Sequence, residues 1–77
     1  MPSDPLPDWV LARRRQIGDR IRAARTDRKI SQETLGERTG LDRKTINRIE
    51  QGAHSTLLDH LLLIADALGV PLADLVR

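Results

Sequence analysis

Cysteine and most aromatic residues are missing from this chain of 77 residues. It has no Cys, Phe or Tyr, and its one aromatic residue is Trp9. Without cysteine, neither a disulfide nor a thiolate metal site stabilises the fold or carries redox chemistry. Without a set of aromatic side chains, the chain lacks the stacking surface with which proteins bind RNA or single-stranded DNA. The hydrophobic residues are instead almost all Leu, Ile, Val and Ala, a mixture that favours helix over sheet.

Long apolar runs and the pattern of a signal peptide are also absent. A membrane span needs about 20 apolar residues, so we expect a soluble, cytoplasmic protein with no membrane partner. The groups of an enzyme are missing too. The histidines, His54 and His60, have no nearby cysteine or paired carboxylates, and no glycine-rich phosphate loop follows a strand. We therefore expect no enzymatic activity, no metal and no cofactor.

Positive charge is concentrated in the first two thirds of the chain. Residues 9–51 contain twelve Lys or Arg and six Asp or Glu, whereas residues 52–77 contain one Arg and three Asp. The basic part predicts a polyanionic partner, and the weakly acidic, apolar end predicts contact with protein. A mixed-charge solvated surface is the alternative interpretation.

The order of helix signals predicts a short arm followed by one helical domain. Residues 1–7 contain three prolines, so we expect an extended N-terminal arm there and a domain over residues 8–77. A long basic helix precedes two short helices. The fourth helix is almost wholly apolar, which predicts that it is the buried centre of the domain, and a short last helix begins at Pro71. We expect Trp9 to pack the first helix against the domain or a partner chain.

The segment over residues 31–51 carries the functional signal. Its two short helical patterns meet at Gly40, which suits the left-handed backbone that ends a helix, and Asp42 is the predicted N-cap of the second. Ile46 and Ile49 mark the inner face of that second helix. Its outer face carries four long polar side chains: Arg43, Lys44, Asn47 and Arg48. A helix that enters the DNA major groove needs such donors near its start, with a small-residue turn before it.

Four stretches of the sequence resemble the Xre and phage-repressor/Cro type of helix-turn-helix domain. They are IGDRIRAAR, SQETLGERTGL, TINRIEQG and LLIADALGVPLADL, and the match runs from about Ile17 to Val76. The resemblance implies an all-α, compact five-helix domain with the helix-turn-helix at helices 2 and 3. It also implies a sequence-specific regulator of transcription that binds double-stranded DNA through helix 3.

The resemblance and the residue chemistry together assign roles within this motif. Arg43, Lys44, Asn47 and Arg48 are the expected base readers, since Arg favours guanine and Asn favours adenine. Gln32 is expected to donate to a DNA phosphate and to brace Arg43. Glu50 opposes the helix dipole in the last turn and needs a cation, which by family register is Arg25.

By family pattern, further phosphate contacts are expected from one residue of helix 3 and from the loop after that helix. The residues are Thr45, His54, Ser55 and Thr56. Relatives commonly carry Lys or Arg in this loop, and this chain does not. We therefore expect weaker phosphate binding from the loop, or binding through His54 at lower pH. Arg20, Arg22 or the arginine run over residues 13–15 are the candidates for compensating charge.

Apolar residues late in the chain exceed what one small core accommodates. Leu57, Leu63, Val70, Leu72 and Val76 cannot all face inward, so we expect an exposed patch that forms the interface of a symmetric homodimer. A monomer with a slightly apolar surface is the alternative. The dimer would place two reader helices about 34 Å apart and predicts an inverted-repeat operator.

The sequence thus predicts a repressor that acts by occupying its operator, with activation as the other mode. An antitoxin and a restriction-modification controller protein are alternatives of the same fold. A protein-interaction adaptor is the alternative of a different class. In that protein the first helix and the proline arm would bind a partner of unknown identity, and DNA binding would be vestigial.

Overall fold

Five helices make up the computed structural model, which describes residues 5–77. They are α1 (Asp8–Asp27), α2 (Gln32–Thr39), α3 (Arg43–Gln51), α4 (Leu58–Leu68) and α5 (Leu72–Val76). No strand occurs within residues 5–77, so the predicted all-α, five-helix fold is confirmed. None of these helices is long and apolar enough to cross a membrane. Of the predicted arm, residues 1–4 lie outside the described residues.

The predicted signals Gly40 and Asp42 lie at the turn between the two helices of the helix-turn-helix. Ser31 Oγ accepts the Thr34 amide at the start of α2, and Asp42 Oδ1 accepts the Thr45 amide at 2.7 Å at the start of α3. The hydrogen bond from Thr45 holds the pKa of Asp42 below its ordinary value. Gly40 ends α2 at φ 77°, a conformation that glycine adopts without steric cost. Residues 40–42 alone separate the two helices, so their relative orientation is set by a tight turn.

Each helix contributes one fully buried side chain to the core. These side chains are Ile21, Leu35, Ile46, Ile64 and Leu75. Full burial of such a side chain stabilises a fold by about 1.5–3 kcal/mol. Because the five lie in five different helices, the pair α2 and α3 depends on α1, α4 and α5 for its core.

The first helix touches the end of α3 at backbone distance. A Cβ on Gly18 would lie 2.7 Å from the Ile49 carbonyl oxygen, and a Cβ on Gly52 would lie 2.8 Å from the Cα of Arg15. Real side chains essentially never approach backbone so closely. The two glycines therefore let α1 form a close platform behind the end of α3.

The fourth helix is buried on one side only, which corrects the expectation that it forms the buried centre. Ile64 and Leu68 are buried, but Leu58, Leu62 and Leu63 are 62%, 48% and 43% exposed. Helices α1, α2 and α5 pack against the inner side of α4. Within the described chain no element covers the outer side.

The start of α1 extends beyond the core. Trp9 is 69% exposed, and Val10 and Leu11 are half-buried. The expectation that Trp9 packs against its own domain is therefore wrong, because α1 begins more than a turn before its first core residue, Ile17.

Candidate nucleic-acid interface

The outer face of α3 displays the side chains predicted to read bases. Arg43, Lys44 and Arg48 are exposed, and Asn47 is half-buried. Ion pairs within residues 5–77 involve none of the three cations. Their donors are therefore free for acceptors outside the protein. The same helix buries Ile46 on its other face, which fixes the direction in which the cations point.

Asn47 is held by a chain of hydrogen bonds that begins in α1. Arg25 donates to the Glu50 carboxylate, from Nε to Oε2 at 2.6 Å and from Nη2 to Oε1 at 3.0 Å. The Gln32 amide then donates to Glu50 Oε1 at 3.1 Å and to Asn47 Oδ1 at 3.2 Å. The chain thus connects α1, α2 and α3 and ends at a base-reading position.

The ion pair in this chain is buried. Arg25 is 9% exposed and Glu50 is 4% exposed, and Arg25 Nη1 also donates to the carbonyl of Ile30 at 2.8 Å. The hydrogen bond to Glu50 holds the pKa of Arg25 above its ordinary value. A carboxylate in the last turn of a helix opposes the dipole, and here a two-pronged guanidinium compensates it. The structure thus brings together the two residues expected to brace the reader helix.

Gln32 does not occupy its expected role. Its two amide hydrogens are directed at Glu50 and Asn47, so in this arrangement neither is free to donate to a phosphate. The reader residue that it contacts is Asn47, and no hydrogen bond joins it to Arg43 among the described residues. The physical reason is that the buried Glu50 carboxylate is a strong acceptor for this amide.

A cleft of about 190 Å³ lies between α3 and the start of α4. We call it the α3–α4 cleft. It is lined by Thr45, Arg48, Ile49, His54, Ser55, Thr56, Leu57 and His60. The four phosphate-contacting residues predicted around the loop therefore lie together, and no carboxylate lines the cleft. His60 is an addition that the sequence did not suggest, because its only signal is a place in the first turn of α4.

A polar pocket of about 190 Å³ lies beside the buried ion pair. It is lined by Arg22, Arg25, Gln32, Asn47, Glu50 and Gln51. Of the candidates for compensating charge, Arg22 therefore lies next to the reader face. Its sequence signal is the three-residue spacing to Arg25, which places both on one side of a helix. Gln51 carried no comparable signal.

The arginines at the start of α1 contact the ends of other helices. Arg13 donates to the carbonyls of Val76 and Arg77 at 2.6 Å and 3.0 Å. Arg14 donates to the carbonyls of Gly52 and Ala53 at 3.2 Å and 3.4 Å. The carbonyls at a helix end lack internal partners and carry the negative end of the dipole. Arg13 and Arg14 thus stabilise α5 and α3, which corrects the expectation that they supply charge to DNA.

Family and sequence comparisons agree on the motif. A family model described as helix-turn-helix matches residues 21–75. The chain is 38% identical over 56 residues to an HTH-type transcriptional regulatory protein of Methanosarcina acetivorans, covering 73% of this chain and 17% of that protein. It is 35% identical over 60 residues to the immunity repressor protein of Bacillus phage phi105, covering 78% of this chain and 42% of that one. The chain therefore spans less than half the length of either relative.

Solved structures with the same fold include three regulators. The restriction-modification controller protein C.AhdI of Aeromonas hydrophila has a TM-score of 0.81 and 36% identity, and the match covers 83% of this chain and 97% of that one. The transcription factor NHTF of Neisseria has a TM-score of 0.80 and 27% identity, covering 100% and 86%. The clp gene regulator ClgR of C. glutamicum has a TM-score of 0.77 at 24% identity, covering 94% and 86%, and supports the fold alone.

Proposed function

The chain belongs to the helix-turn-helix family, as its sequence predicts, and on that premise we propose that it is a DNA-binding transcriptional regulator that represses by occupying a specific operator. The observation that carries the proposal is the outer face of α3, where three cations have no partner inside the described chain. A DNA duplex supplies both the phosphates and the base edges that such donors bind. No enzymatic step is needed for this mode of action.

Base reading is assigned to the four polar residues of α3. Arg43 and Lys44 lie in the first turn, where side chains reach base edges most directly when a helix enters the major groove. Asn47 and Arg48 follow one turn later. Asn47 is oriented before DNA arrives, because its Oδ1 accepts from Gln32. A pre-oriented amide loses less conformational freedom on binding.

The phosphate-binding role is assigned to the α3–α4 cleft. Thr45, Ser55 and Thr56 supply hydroxyl groups there, and His54 supplies an imidazole. The helix start beside the cleft has no side-chain cap, since Leu57 occupies the N-cap position of α4. Uncapped amides at a helix start favour anions. The proposed contribution of Gln32 is indirect, through its contact with Asn47.

Arg43→Ala is expected to weaken binding to the preferred site by about 1–3 kcal/mol and to relax the base preference at one position. The loss arises because a two-pronged bond to guanine disappears. Selection of bound sites from a random DNA pool gives the operator, and titration of that site and its single-base variants measures the effect. Arg38→Ala removes another exposed arginine, from the last turn of α2, and serves as the control. Equal losses on the operator and on random DNA would contradict base reading by Arg43.

We further propose that the protein binds DNA as a homodimer through the α4 leucine face, defined as Leu57, Leu58, Leu62 and Leu63. These side chains are 43% to 64% exposed, and apolar patches of this kind mark interaction sites. A symmetric pair would place two α3 helices on an inverted repeat, with centres about 34 Å apart. A small domain near the lower size limit for folding also gains stability from such contact.

The predicted dimer residues divide between this face and the core. Leu57 and Leu63 lie on the α4 leucine face, whereas Val70, Leu72 and Val76 pack half-buried against the core. The reason is that α5 packs on the core with Leu72 and Val76 on its inner side, and Val70 lies in the turn that leads into it. Leu58 and Leu62 therefore take the central place in the proposed interface.

Leu62→Glu is expected to weaken the dimer by about 2 kcal/mol or more, because each copy loses buried apolar area and gains a carboxylate at the interface. Sedimentation equilibrium measures the change, and circular dichroism checks the fold. Ala73→Glu places the same charge on an exposed position of α5 and should leave the dimer intact. If the Leu62→Glu dimer had the same dissociation constant as the wild-type dimer, this face would be excluded as the interface.

A restriction-modification controller is the second candidate for the biological role. The observation that favours it is the likeness to C.AhdI, of which the match covers 97%. The observation that favours the adaptor alternative is the exposed Trp9, which is available to a partner protein. A salt series separates a DNA reader from an adaptor, because specific DNA affinity falls steeply with salt. An adaptor would show only weak, sequence-blind binding.

A further inference from the structure

We propose that Trp9 of one copy enters an apolar pocket in a second copy, and that the two copies exchange these side chains symmetrically. The pocket lies between the start of α1, the end of α3 and α4, and is named the α1–α4 pocket. The inference rests on the proposed homodimer and extends its interface from the α4 leucine face to α1.

The α1–α4 pocket has the size and the chemistry to hold an aromatic side chain. Its volume is about 240 Å³. The apolar side chains that line it are Val10, Ile17, Ile49 and Leu61. In another protein, an apolar cavity of about 150 Å³ binds benzene. The larger pocket of this chain therefore accommodates the larger indole ring of a tryptophan.

Trp9 lies beside the α1–α4 pocket but does not fill it. It precedes Val10, which lines the pocket, and successive side chains point about 100° apart around a helix. Trp9 is accordingly 69% exposed. When a projecting side chain and a receiving pocket are neighbours on one surface, a two-fold axis between them brings each side chain to the pocket of the other copy. The surface is therefore self-complementary, as a symmetric dimer requires.

The area that a stable dimer needs favours a second copy as the occupant. Each partner of a stable complex contributes about 20–30 residues and about 800 Å², whereas the α4 leucine face consists of four residues. Leu61 connects that face to the pocket, because it lies three residues after Leu58 on the same side of α4. Trp9 would add roughly 150 Å² of buried surface per copy. The two surfaces together form a larger, continuous interface.

The charges around the pocket do not suit DNA. Arg14 is the one charged residue that lines it, and its guanidinium already donates to two carbonyls after α3. Trp9 also lies roughly 24 Å along α1 from Arg25, which braces the reader helix. Ser55 and Thr56 line the pocket with hydroxyl groups, which can accept from the indole N–H once it is buried.

Fluorescence of Trp9 tests its burial directly, because the chain has one tryptophan and no tyrosine. Emission spectra and acrylamide quenching are recorded over a dilution series, and sedimentation equilibrium gives the dissociation constant of the dimer. We expect emission to move to shorter wavelength and quenching to fall as the dimer forms. Trp9→Ala should raise the dissociation constant at least about tenfold, since buried tryptophans are frequent hot spots of interfaces.

Mixed dimers test the exchange itself. Val10→Glu places a carboxylate in the pocket, and circular dichroism checks that this variant is folded. Trp9→Ala removes the indole and leaves the pocket open. The emission of the Val10→Glu protein should therefore move to shorter wavelength when excess Trp9→Ala protein is added. The double variant Trp9→Ala with Val10→Glu is the matched control and should cause no such shift. Equal shifts with both partners would contradict insertion into the pocket.

The other outcomes separate this inference from the proposals on which it rests. A dimer in which Trp9 stays as quenchable as in the monomer would overturn the exchange and leave the homodimer intact. A chain that stays monomeric at all concentrations, with Trp9 exposed, would overturn both and assign the pocket to a different protein. Titration of the selected operator in parallel tests DNA binding, so loss of specific binding alone would overturn the proposed function and not the exchange.

Discussion

Glu50→Ala is expected to lower the free energy of unfolding by about 3–5 kcal/mol, because it leaves a buried guanidinium without its carboxylate. Arg25 is only 9% exposed, so its guanidinium would stay largely desolvated without the carboxylate. Native domains have a total stability of about 5–15 kcal/mol, so the variant should lose a large fraction of its stability. Urea unfolding followed by circular dichroism measures the change.

The double variant Arg25→Met with Glu50→Leu separates stability from DNA reading. Replacing both members of a buried pair by apolar residues is often neutral or stabilising, so this variant should recover most of the lost stability. It still lacks the Glu50 oxygen that accepts from Gln32. Asn47 should then be less firmly oriented, and base preference at its position should weaken. Wild-type stability of Glu50→Ala would refute the bracing role of the pair.

Gly52→Ala is expected to destabilise the domain by about 2–5 kcal/mol. The left-handed backbone at φ 65° costs a residue with a side chain about 1–2 kcal/mol. The added methyl group would also lie 2.8 Å from the Arg15 Cα, and forcing such a group into a packed contact costs about 1–3 kcal/mol.

Gly69→Ala is the matched control for this substitution. Gly69 also ends a helix at positive φ, 68°, but a Cβ there would meet nothing within 4 Å. The Gly69→Ala variant should therefore lose only the free energy that the left-handed backbone costs a residue with a side chain. Thermal and urea unfolding measure the loss in free energy of unfolding for each variant. The loss for Gly52→Ala minus the loss for Gly69→Ala is the cost of separating α1 from the end of α3. Equal losses would mean that this backbone contact is easily relaxed.

The elements of the helix-turn-helix were predictable because their signals are local. Asp42 caps the amide three residues later, and Gly40 takes the left-handed conformation. Each depends on the chemistry of a few neighbouring residues and not on distant packing. The outer face of α3 was predictable for the same reason, since the helical period separates Arg43 and Arg48 from the buried Ile46.

Features that depend on how helices meet were not predictable. An apolar helix pattern does not tell how many neighbours will cover it, and α4 proved to be covered on one side. The partner of Gln32 depends on where the buried Glu50 carboxylate lies. His60 joins His54 only because the chain turns back between α3 and α4.

The number of arginines in α1 does not tell which of them are available to DNA. Arg13 contacts the end of α5 through bonds that span more than 60 positions of sequence. No local pattern distinguishes such an arginine from one that faces solvent.

The hydrogen-bonded chain that ends at Asn47 has a consequence for retargeting the protein to new DNA sites. Arg43 and Lys44 have no bonded partner among the described residues, so substitutions there should alter target choice while leaving the fold unaffected. A substitution at Asn47 instead disturbs Gln32 and, through it, the buried Glu50. Design libraries aimed at new operators should therefore vary Arg43 and Lys44 freely and change positions 32 and 47 only as a pair.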